Sequence, residues 1–277
     1  MKKTHYLKEL KISRTTKLGS KGKNVSKIQE WLNLWRVNEG YDIINVTRDS
    51  VFGRETDYAI KQFQEIKRLP ANGIVDDYIF SLLSAPILNA YSSIDKTGTD
   101  SFKDLIIPYA KQHLKWNPRE FKSNLGPWVR SYTNGNQGKQ WAWCVGFVTT
   151  IMDLACSTHG FKFTDIIPNT LSCDVLGEHS RKYMRLIRNK DIENSLDVIQ
   201  PGDIFLLHGK NKRDWWHTGI IQEVYDTYFK TIEGNTNDEG SREGFEVCGR
   251  VRFHQYMEKR EDNIYMDVVR IEDRLVV

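Results

Sequence analysis

Cys144 is the residue of this sequence that is best placed to do chemistry. It follows a polar, turn-rich segment, 131–138, and precedes apolar residues at helical spacing, namely Val145, Val148, Ile151 and Met152. This pattern predicts a thiol in the first turn of a helix, where unpaired amides and the helix dipole favour a thiolate and can face a developing oxyanion. A cysteine that follows two tryptophans, Trp141 and Trp143, can also be a small buried hydrophobe. The choice therefore depends on partners elsewhere in the chain.

Three polar residues downstream supply such partners. His217 begins a strand-like run, and the adjacent strand of a predicted hairpin carries Glu233 and Asn235 two residues apart, hence on one face. Cysteine hydrolases combine a thiol, an imidazole and a carboxylate or amide. In this interpretation Cys144 attacks an amide carbonyl and His217 transfers the proton. Glu233 or Asn235 then holds the imidazole in its working tautomer.

Other histidines and cysteines fit a reactive site less well. His208 ends a strand without an acidic partner nearby in sequence, and His254 lies in a late strand outside any motif. Cys156 and His159 have the spacing of metal ligands, but no HExxH or CxxC motif completes a zinc site. We therefore predict neither a metal nor a cofactor.

Length and composition indicate a globular protein with room for two domains. The chain has 277 residues, of which 39% are hydrophobic and 12% aromatic, and this composition argues against disorder. The four cysteines are scattered, so free thiols are expected. The basic N-terminus lacks a following apolar run, so we predict no signal peptide and no membrane span.

The net charge of +4 is concentrated at the front of the chain. Residues 1–90 carry 15 Lys and Arg against 10 Asp and Glu, which leaves 25 against 26 in residues 91–277. A basic module can contact nucleic acid, an anionic membrane or an anionic wall polymer. No nucleic-acid-binding motif accompanies the charge, so we expect no nucleic-acid partner.

The front of the chain has the pattern of a small helical domain. Helical spacing recurs over 24–37, through Ala59, Ile60, Phe63 and Ile66, and more briefly through Ile79, Leu82 and Leu83. Turns that contain glycine precede these runs. We predict an all-α domain of three helices over residues 1–86, about the smallest size that folds unaided.

Motifs in this region resemble the three-helix peptidoglycan-binding domain found at the ends of many bacterial and phage wall hydrolases. In order, they are Leu18-Gly19-Ser20-Lys21-Gly22, Val25-Ser26-Lys27-Ile28-Gln29, Val51-Phe52-Gly53-Arg54-Glu55-Thr56, Ala59-Ile60-Lys61-Gln62-Phe63-Gln64 and Leu69-Pro70-Ala71-Asn72-Gly73-Ile74-Val75-Asp76. The loop between Val37 and Asp49 is longer than in the usual form. The resemblance implies peptidoglycan, with its glycan strands and stem peptides, as a partner.

The remainder predicts helices first and antiparallel strands afterwards, which is an α+β layout. After a linker over 87–100, helices are expected around Phe102 to Tyr109, around Phe121 and Leu125, from Cys144 to about 159, and near 175–187. Strand-like runs are Ile204 to Leu207, His217 to Ile221, Tyr228 to Glu233, Phe245 to Val247 and Asp267 to Ile271. The second domain is therefore assigned to residues 101–277.

Four motifs in this second region resemble the CHAP family, the cysteine, histidine-dependent amidohydrolases and peptidases. They are Trp143-Cys144-Val145-Gly146-Phe147-Val148, Pro201-Gly202-Asp203-Ile204, His217-Thr218-Gly219-Ile220-Ile221 and Ile232-Glu233-Gly234-Asn235-Thr236. The resemblance implies a papain-like α+β domain with an antiparallel sheet, in which Cys144 is the nucleophile, His217 the base, and Glu233 and Asn235 the orienting residues. The polar stretch of about 157–195 has no counterpart in the family.

Taken together, the two resemblances imply a two-domain peptidoglycan hydrolase of endolysin or autolysin type. The bond cleaved is either that of an N-acetylmuramoyl-L-alanine amidase or a peptide cross-link, and the sequence does not separate these. A non-catalytic wall-binding protein and a papain-like amidase or acyl transferase toxin acting on another amide are the alternatives. We expect a monomer that is made in the cytoplasm and reaches the cell wall or periplasm after release or by another export route.

Overall fold

The computed structural model describes residues 4–38, 40, 43–95, 97–98, 101–192, 195–209, 214–237, 244–253 and 264–272. Within these residues the chain forms two compact units. One contains 4–90 together with 119–138, and the other contains 91–118 and the chain from 139 onward. We call them the helical unit and the α+β unit.

The helical unit contains the three predicted helices and further short ones. They are a 3-10 helix His5–Leu10, α1 Lys23–Asn38, α2 Arg54–Ile66, α3 Asp77–Leu83, α4 Ala85–Ala90 and α6 Pro127–Tyr132. Asp76 caps α3 by accepting a hydrogen bond from the Ile79 amide (2.9 Å), which satisfies one of the unpaired amides of the first turn. The apolar stripe of α1 is buried, and the Trp35 indole donates to the carbonyl of Leu83 (2.8 Å).

Two glutamines of the motifs hold the turns of the helical unit. Gln29 donates to the carbonyl of Val51 (3.1 Å) and accepts from the amide of Ser50 (3.0 Å). Gln64 accepts from the amide of Gly73 (2.9 Å), whose φ of 72° is the left-handed conformation that suits glycine. Both glutamines are buried. The carboxamides therefore replace the backbone partners that these turns lack.

Residues 119–138 pack within the helical unit, although the sequence-based boundaries place them in the second domain. The Arg130 guanidinium contacts the carboxylates of Glu9 (2.7 Å) and Glu30 (2.8 Å), both buried. The Trp128 ring meets that of Trp31 edge-on at 6.2 Å. Such long-range pairs leave no local pattern in the sequence, and the region predicted as a linker begins inside α4.

The helix predicted around Phe121 and Leu125 is wrong. The Phe121 amide donates to the Leu125 carbonyl (2.8 Å), which closes a turn. The helix begins only at Pro127, after Gly126 with a φ of 121°. Proline at the first helical position has no amide to lose, so it starts this helix rather than ending an earlier one.

The α+β unit combines helices with a six-stranded antiparallel sheet. The helices are α5 Lys103–Lys115, α7 Cys144–Thr158, α8 Cys173–Lys182 and α9 Asn189–Ile192. The strands are β1 Leu186–Ile187, β2 Ile204–His208, β3 Trp215–Val224, β4 Tyr228–Thr236, β5 Glu246–Phe253 and β6 Tyr265–Val269. Their order in the sheet is β1-β6-β2-β3-β4-β5. The mixed helical and antiparallel architecture is thus confirmed.

One predicted helix is shorter than expected. The helix expected near 175–187 ends at Lys182, and Leu186 and Ile187 instead pair with β6. Met184 takes a φ of 58°, and the amide of Arg185 donates to the carbonyl of Ser180 (2.8 Å). A left-handed residue and this backward hydrogen bond terminate a helix, so periodicity alone overestimated its length.

The start of α7 is seated closely on β4. A Cβ at Gly234 would lie 2.6 Å from the Phe147 Cβ and 3.0 Å from the Trp143 ring, so only glycine allows this approach. From Cys144 to Cys156 every residue of α7 is buried. The helix that carries the candidate nucleophile is therefore rigidly packed.

Candidate active site

Cys144 is the first residue of α7, as the sequence predicts, and it is buried. Its Sγ lies 3.9 Å from the Sγ of Cys173. The hydrogen bond from Cys173 lowers the pKa of the Cys144 thiol most. The contact with His217 and the Val145 amide lower it further, against the effect of burial. The pKa of Cys144 therefore lies well below the ordinary thiol value of 9.0.

His217 lies on β3 with its imidazole between the thiol and a carboxylate. Its Nε2 is 2.8 Å from Oε2 of Glu233, and the ring also hydrogen bonds to Cys144. Because an ionised carboxylate only accepts, Nε2 carries a proton, which leaves Nδ1 for the sulfur. Burial lowers the pKa of His217, but the hydrogen bonds to Cys144 and Glu233 outweigh burial and raise the pKa to about 9. The lowered pKa of Cys144 and the raised pKa of His217 both favour a thiolate beside an imidazolium.

Glu233 on β4 is buried and accepts several hydrogen bonds. Besides His217, the Thr231 hydroxyl donates to Oε1 (2.5 Å), and Arg252 donates from Nε (2.7 Å) and Nη2 (2.6 Å). Burial raises the pKa of Glu233, but the Arg252 guanidinium and the His217 hydrogen bond hold it well below its usual range. Glu233 is therefore expected to be ionised at neutral pH, where it can orient His217 and favour its charged form.

Arg252 is a site residue that the sequence analysis missed. It lies on β5, paired in register with Phe229 of β4, and its guanidinium stands 4.7 Å from the centre of the Phe205 ring. A bidentate contact to Glu233 fixes the carboxylate in one orientation. The sequence motif for the site ends at Thr236, so no local signal marked an arginine on the next strand.

Asn235, predicted as an orienting residue, contacts backbone groups beside Cys144 in the structure. Its Oδ1 accepts from the backbone amide of Trp143 (2.7 Å), and its Nδ2 donates to the carbonyl of Gly244 (2.7 Å). Its φ of 56° falls within the irregular pairing between β4 and β5, which turns the side chain to these partners. Asn235 thus holds the residue before Cys144, while Glu233 orients the imidazole.

Cys173 comes from the stretch that has no counterpart in the resemblance. It is the first residue of α8, after Ser172, whose side chain accepts from the Val175 amide (3.3 Å). The neighbouring Asp174 accepts from the backbone amide of Trp215 (2.8 Å), which ties this helix start to β3. Cys173 shares with Cys144 the first position of a helix, and the capping Ser172 was the available signal for that helix start.

Gly219 leaves the space that Glu233 occupies. A Cβ at this position would lie 2.7 Å from Cγ of Glu233 and 2.8 Å from the Phe205 ring. A side chain on Gly219 would therefore displace the carboxylate from His217, two residues earlier on the same strand. This close approach explains a glycine in the middle of a strand.

The other histidines and cysteines considered as site residues lie away from Cys144 or outside the described residues. His208 stacks on Tyr265 with ring centres 5.6 Å apart, and its Nε2 is 3.5 Å from Oδ2 of the buried Asp267. Cys156 is buried in α7, and His254 lies outside the described residues. Among the described residues, no group of three or more His, Cys, Asp or Glu side chains has the geometry of a metal site.

One part of the chain is similar to a known protein family. Residues 21–83 match the family model described as "Putative peptidoglycan binding domain". This match covers α1 to α3 and supports an N-terminal peptidoglycan-binding domain, association with the cell wall and peptidoglycan as a partner. No curated protein and no solved structure matches the chain. In the parts of the chain that the structure describes, no helix has the length and apolar character needed to cross a bilayer.

Proposed function

We propose that the protein is a cysteine hydrolase that cleaves amide bonds of peptidoglycan. The observation that carries the proposal is the Cys144, His217 and Glu233 arrangement, in which a buried anion supports an imidazolium beside a thiol of lowered pKa. A peptidoglycan-binding match in the same chain indicates the substrate. Perturbed ionisation of this kind is typical of catalytic sites.

The first half of the proposed reaction forms a thioester. The Cys144 thiolate adds to the carbonyl carbon of the scissile amide, and the electron pair of the C=O bond moves to oxygen. Amides in the first turn of α7 have no acceptor four residues earlier, and the Val145 amide, which contacts the Cys144 sulfur, can donate to the oxyanion as the sulfur loses its charge. As the C–N bond breaks, His217 gives its proton to the leaving amine.

The second half returns the enzyme to its starting state. Neutral His217 removes a proton from water, and the resulting hydroxide adds to the thioester carbonyl. The C–S bond then breaks, releasing a carboxylate product and the Cys144 thiolate beside a protonated imidazole. Glu233 stays ionised throughout, held by Arg252, and so keeps the ring aimed at the sulfur.

The arrangement of elements supports the CHAP resemblance and a papain-like domain. The nucleophile begins a buried helix, and the histidine and its carboxylate lie on adjacent antiparallel strands, β3 and β4. The order of the motifs along the chain is the same as in the resemblance. The helical unit then has the role of holding the enzyme on its polymer, which raises the local concentration of substrate bonds.

Digestion of purified sacculi by the full chain tests this proposal. We expect soluble fragments that carry new amine and carboxylate ends, whereas Cys144→Ala still pellets with sacculi but releases on the order of a thousandfold less material. Mass spectrometry of the fragments shows whether the bond is the N-acetylmuramoyl-L-alanine amide or a cross-link. Binding without release by the parent protein would support a non-catalytic wall protein, and new reducing sugar ends would contradict amide cleavage.

A further inference from the structure

Cys173 is a second thiol inside the site, and the proposed hydrolysis does not consume it. The Cys144 and Cys173 sulfurs are 3.9 Å apart, and each cysteine is the first residue of a helix, α7 and α8 respectively. A disulfide requires a sulfur separation near 2.05 Å, so the two must approach by about 1.9 Å from 3.9 Å. Helix starts place the positive end of the dipole at both sulfurs, which favours thiolate character.

The pairing is held by the fold rather than by chance proximity of loose side chains. The Ser172 cap and the contact of Asp174 with the Trp215 amide (2.8 Å) fix the start of α8. Trp215 begins β3, which also carries His217. Asn235 fixes the start of α7 through the Trp143 amide (2.7 Å). Both thiols are thus anchored to neighbouring strands of one sheet.

We propose that Cys144 and Cys173 form a reversible disulfide, in which Cys173 is the resolving thiol for an oxidised Cys144. The oxidant is a hydroperoxide, and the reductant is a low-molecular-weight or protein dithiol. Any effect of the disulfide on activity rests on the proposed function, in which the Cys144 sulfur attacks the amide. The disulfide would occupy that sulfur. The disulfide form would be inactive, and reduction would restore the nucleophile.

Oxidation to the disulfide takes two steps, and reduction reverses it. The Cys144 thiolate attacks the terminal oxygen of the hydroperoxide, which breaks the O–O bond and gives a sulfenic acid and an alkoxide or hydroxide. The Cys173 sulfur then attacks the Cys144 sulfur, the S–O bond breaks, and the sulfenic oxygen leaves as water with the thiol proton. A dithiol later attacks one sulfur of the disulfide and is itself oxidised to a cyclic disulfide as both protein thiols return.

Cys156 offers a matched control because it shares a helix with Cys144. Both residues lie on α7, and Cys156 is fully buried. Twelve residues of helix separate them by about 18 Å, which is beyond the reach of the same disulfide. All four cysteines are thiols in the structure, so any disulfide found must come from the treatment.

The test treats the reduced full-length protein with hydrogen peroxide and analyses it without a reductant. We expect the intact mass to fall by two hydrogens and trypsin to yield peptide 140–162 joined to 163–181. Because 140–162 contains both Cys144 and Cys156, the measurement is repeated on Cys156→Ala, in which the joined peptides must persist. In Cys173→Ser we expect Cys144 to gain oxygen atoms instead.

Activity on sacculi is followed in the same samples, each relative to its own untreated value. The treated parent should fall about tenfold or more and recover with dithiothreitol, whereas Cys173→Ser should stay inactive because sulfinic acid is not reduced by dithiols. Oxygenated Cys144 in the parent, with peptides 140–162 and 163–181 unjoined, would overturn the inference. Joined peptides in a protein that never digests sacculi would support the disulfide and contradict only the proposed function.

Discussion

The polar residues of the sequence motifs make different kinds of contact in the helical unit and in the α+β unit. In the helical unit, the carboxamides of Gln29 and Gln64 hydrogen bond to backbone groups of neighbouring turns. In the α+β unit, His217 and Glu233 form a chain of contacts that ends on the sulfur of Cys144. The first set stabilises the fold, and in the proposed function the second activates the nucleophile.

This difference shows what a sequence motif can mean. Buried glutamines with satisfied donors and acceptors predict where turns and helices lie, and they say little about a ligand. A histidine of raised pKa beside a thiol of lowered pKa is typical of catalytic sites, so this pair points to chemistry. The comparison is tested by substitutions that act on one unit and leave the other intact.

His217→Ala should have the largest effect. Removing the group that both protonates the leaving amine and deprotonates water should lower turnover of wall fragments by about a hundredfold to ten-thousandfold. His208→Gln is the matched control, since His208 contacts Tyr265 and Asp267. A His217→Ala variant as active as the parent, with His208→Gln inactive, would place the site elsewhere on the sheet.

Glu233→Gln should have an intermediate effect that depends on pH. The carboxylate raises the pKa of His217, which is about 9 in the parent, so its loss should move the alkaline fall in activity to lower pH. Turnover at neutral pH should drop about tenfold, because the orienting contact is weakened rather than abolished. Rate against pH from 5 to about 10 measures this shift.

Asn235→Ala separates orientation of the histidine from placement of the nucleophile. Because Asn235 binds the Trp143 amide and the Gly244 carbonyl, its loss should lower the free energy of unfolding by about 1–3 kcal/mol. The alkaline limb of the pH profile should stay where it is in the parent. A shifted limb in Asn235→Ala would show that this side chain also acts on His217.

The sequence analysis predicted those features that have local patterns. Periodicity and turns located α1, α2, α3 and α7, and alternation located most of the strands. Cys144, His217 and Glu233 were predicted as site residues because each lies in a short motif. Their meeting around one sulfur is a property of the fold.

What the sequence did not disclose depends on contacts between distant segments. Arg252 and Cys173 reach Glu233 and Cys144 from another strand and another helix, and neither has a motif of its own. Arg130 likewise joins residues 119–138 to the first helices through Glu9 and Glu30. Pairing of charges across a hundred residues cannot be read from helical or strand periodicity.

Arg130→Met should have the smallest effect on turnover while weakening the helical unit. It removes the ion-pair partner of the buried Glu9 and one of the partners of Glu30, although Arg48 still pairs with Glu30 and Lys27 still attracts both carboxylates. The loss should cost up to about 3–5 kcal/mol of stability. We expect less protein to pellet with sacculi and an unchanged rate on soluble wall fragments. Thermal unfolding measures the loss of stability, and pelleting measures the loss of sacculus binding. A loss of turnover on soluble fragments would contradict the idea that the helical unit binds the wall while the α+β unit carries the reaction.

The most direct test of an activated Cys144 is the pH dependence of its alkylation by iodoacetamide, followed by peptide mass in the full chain. A thiolate stabilised by Cys173 and His217 should react at a rate that is nearly constant from neutral pH upward and falls only in acid. In His217→Ala the Cys173 contact remains, so the pH at which the rate rises should move up from that of the parent towards, but not as far as, the ordinary thiol value of 9.0. If the parent already behaves as an ordinary thiol, or if the label is found on Cys156 or Cys248 instead, Cys144 is not the prepared nucleophile.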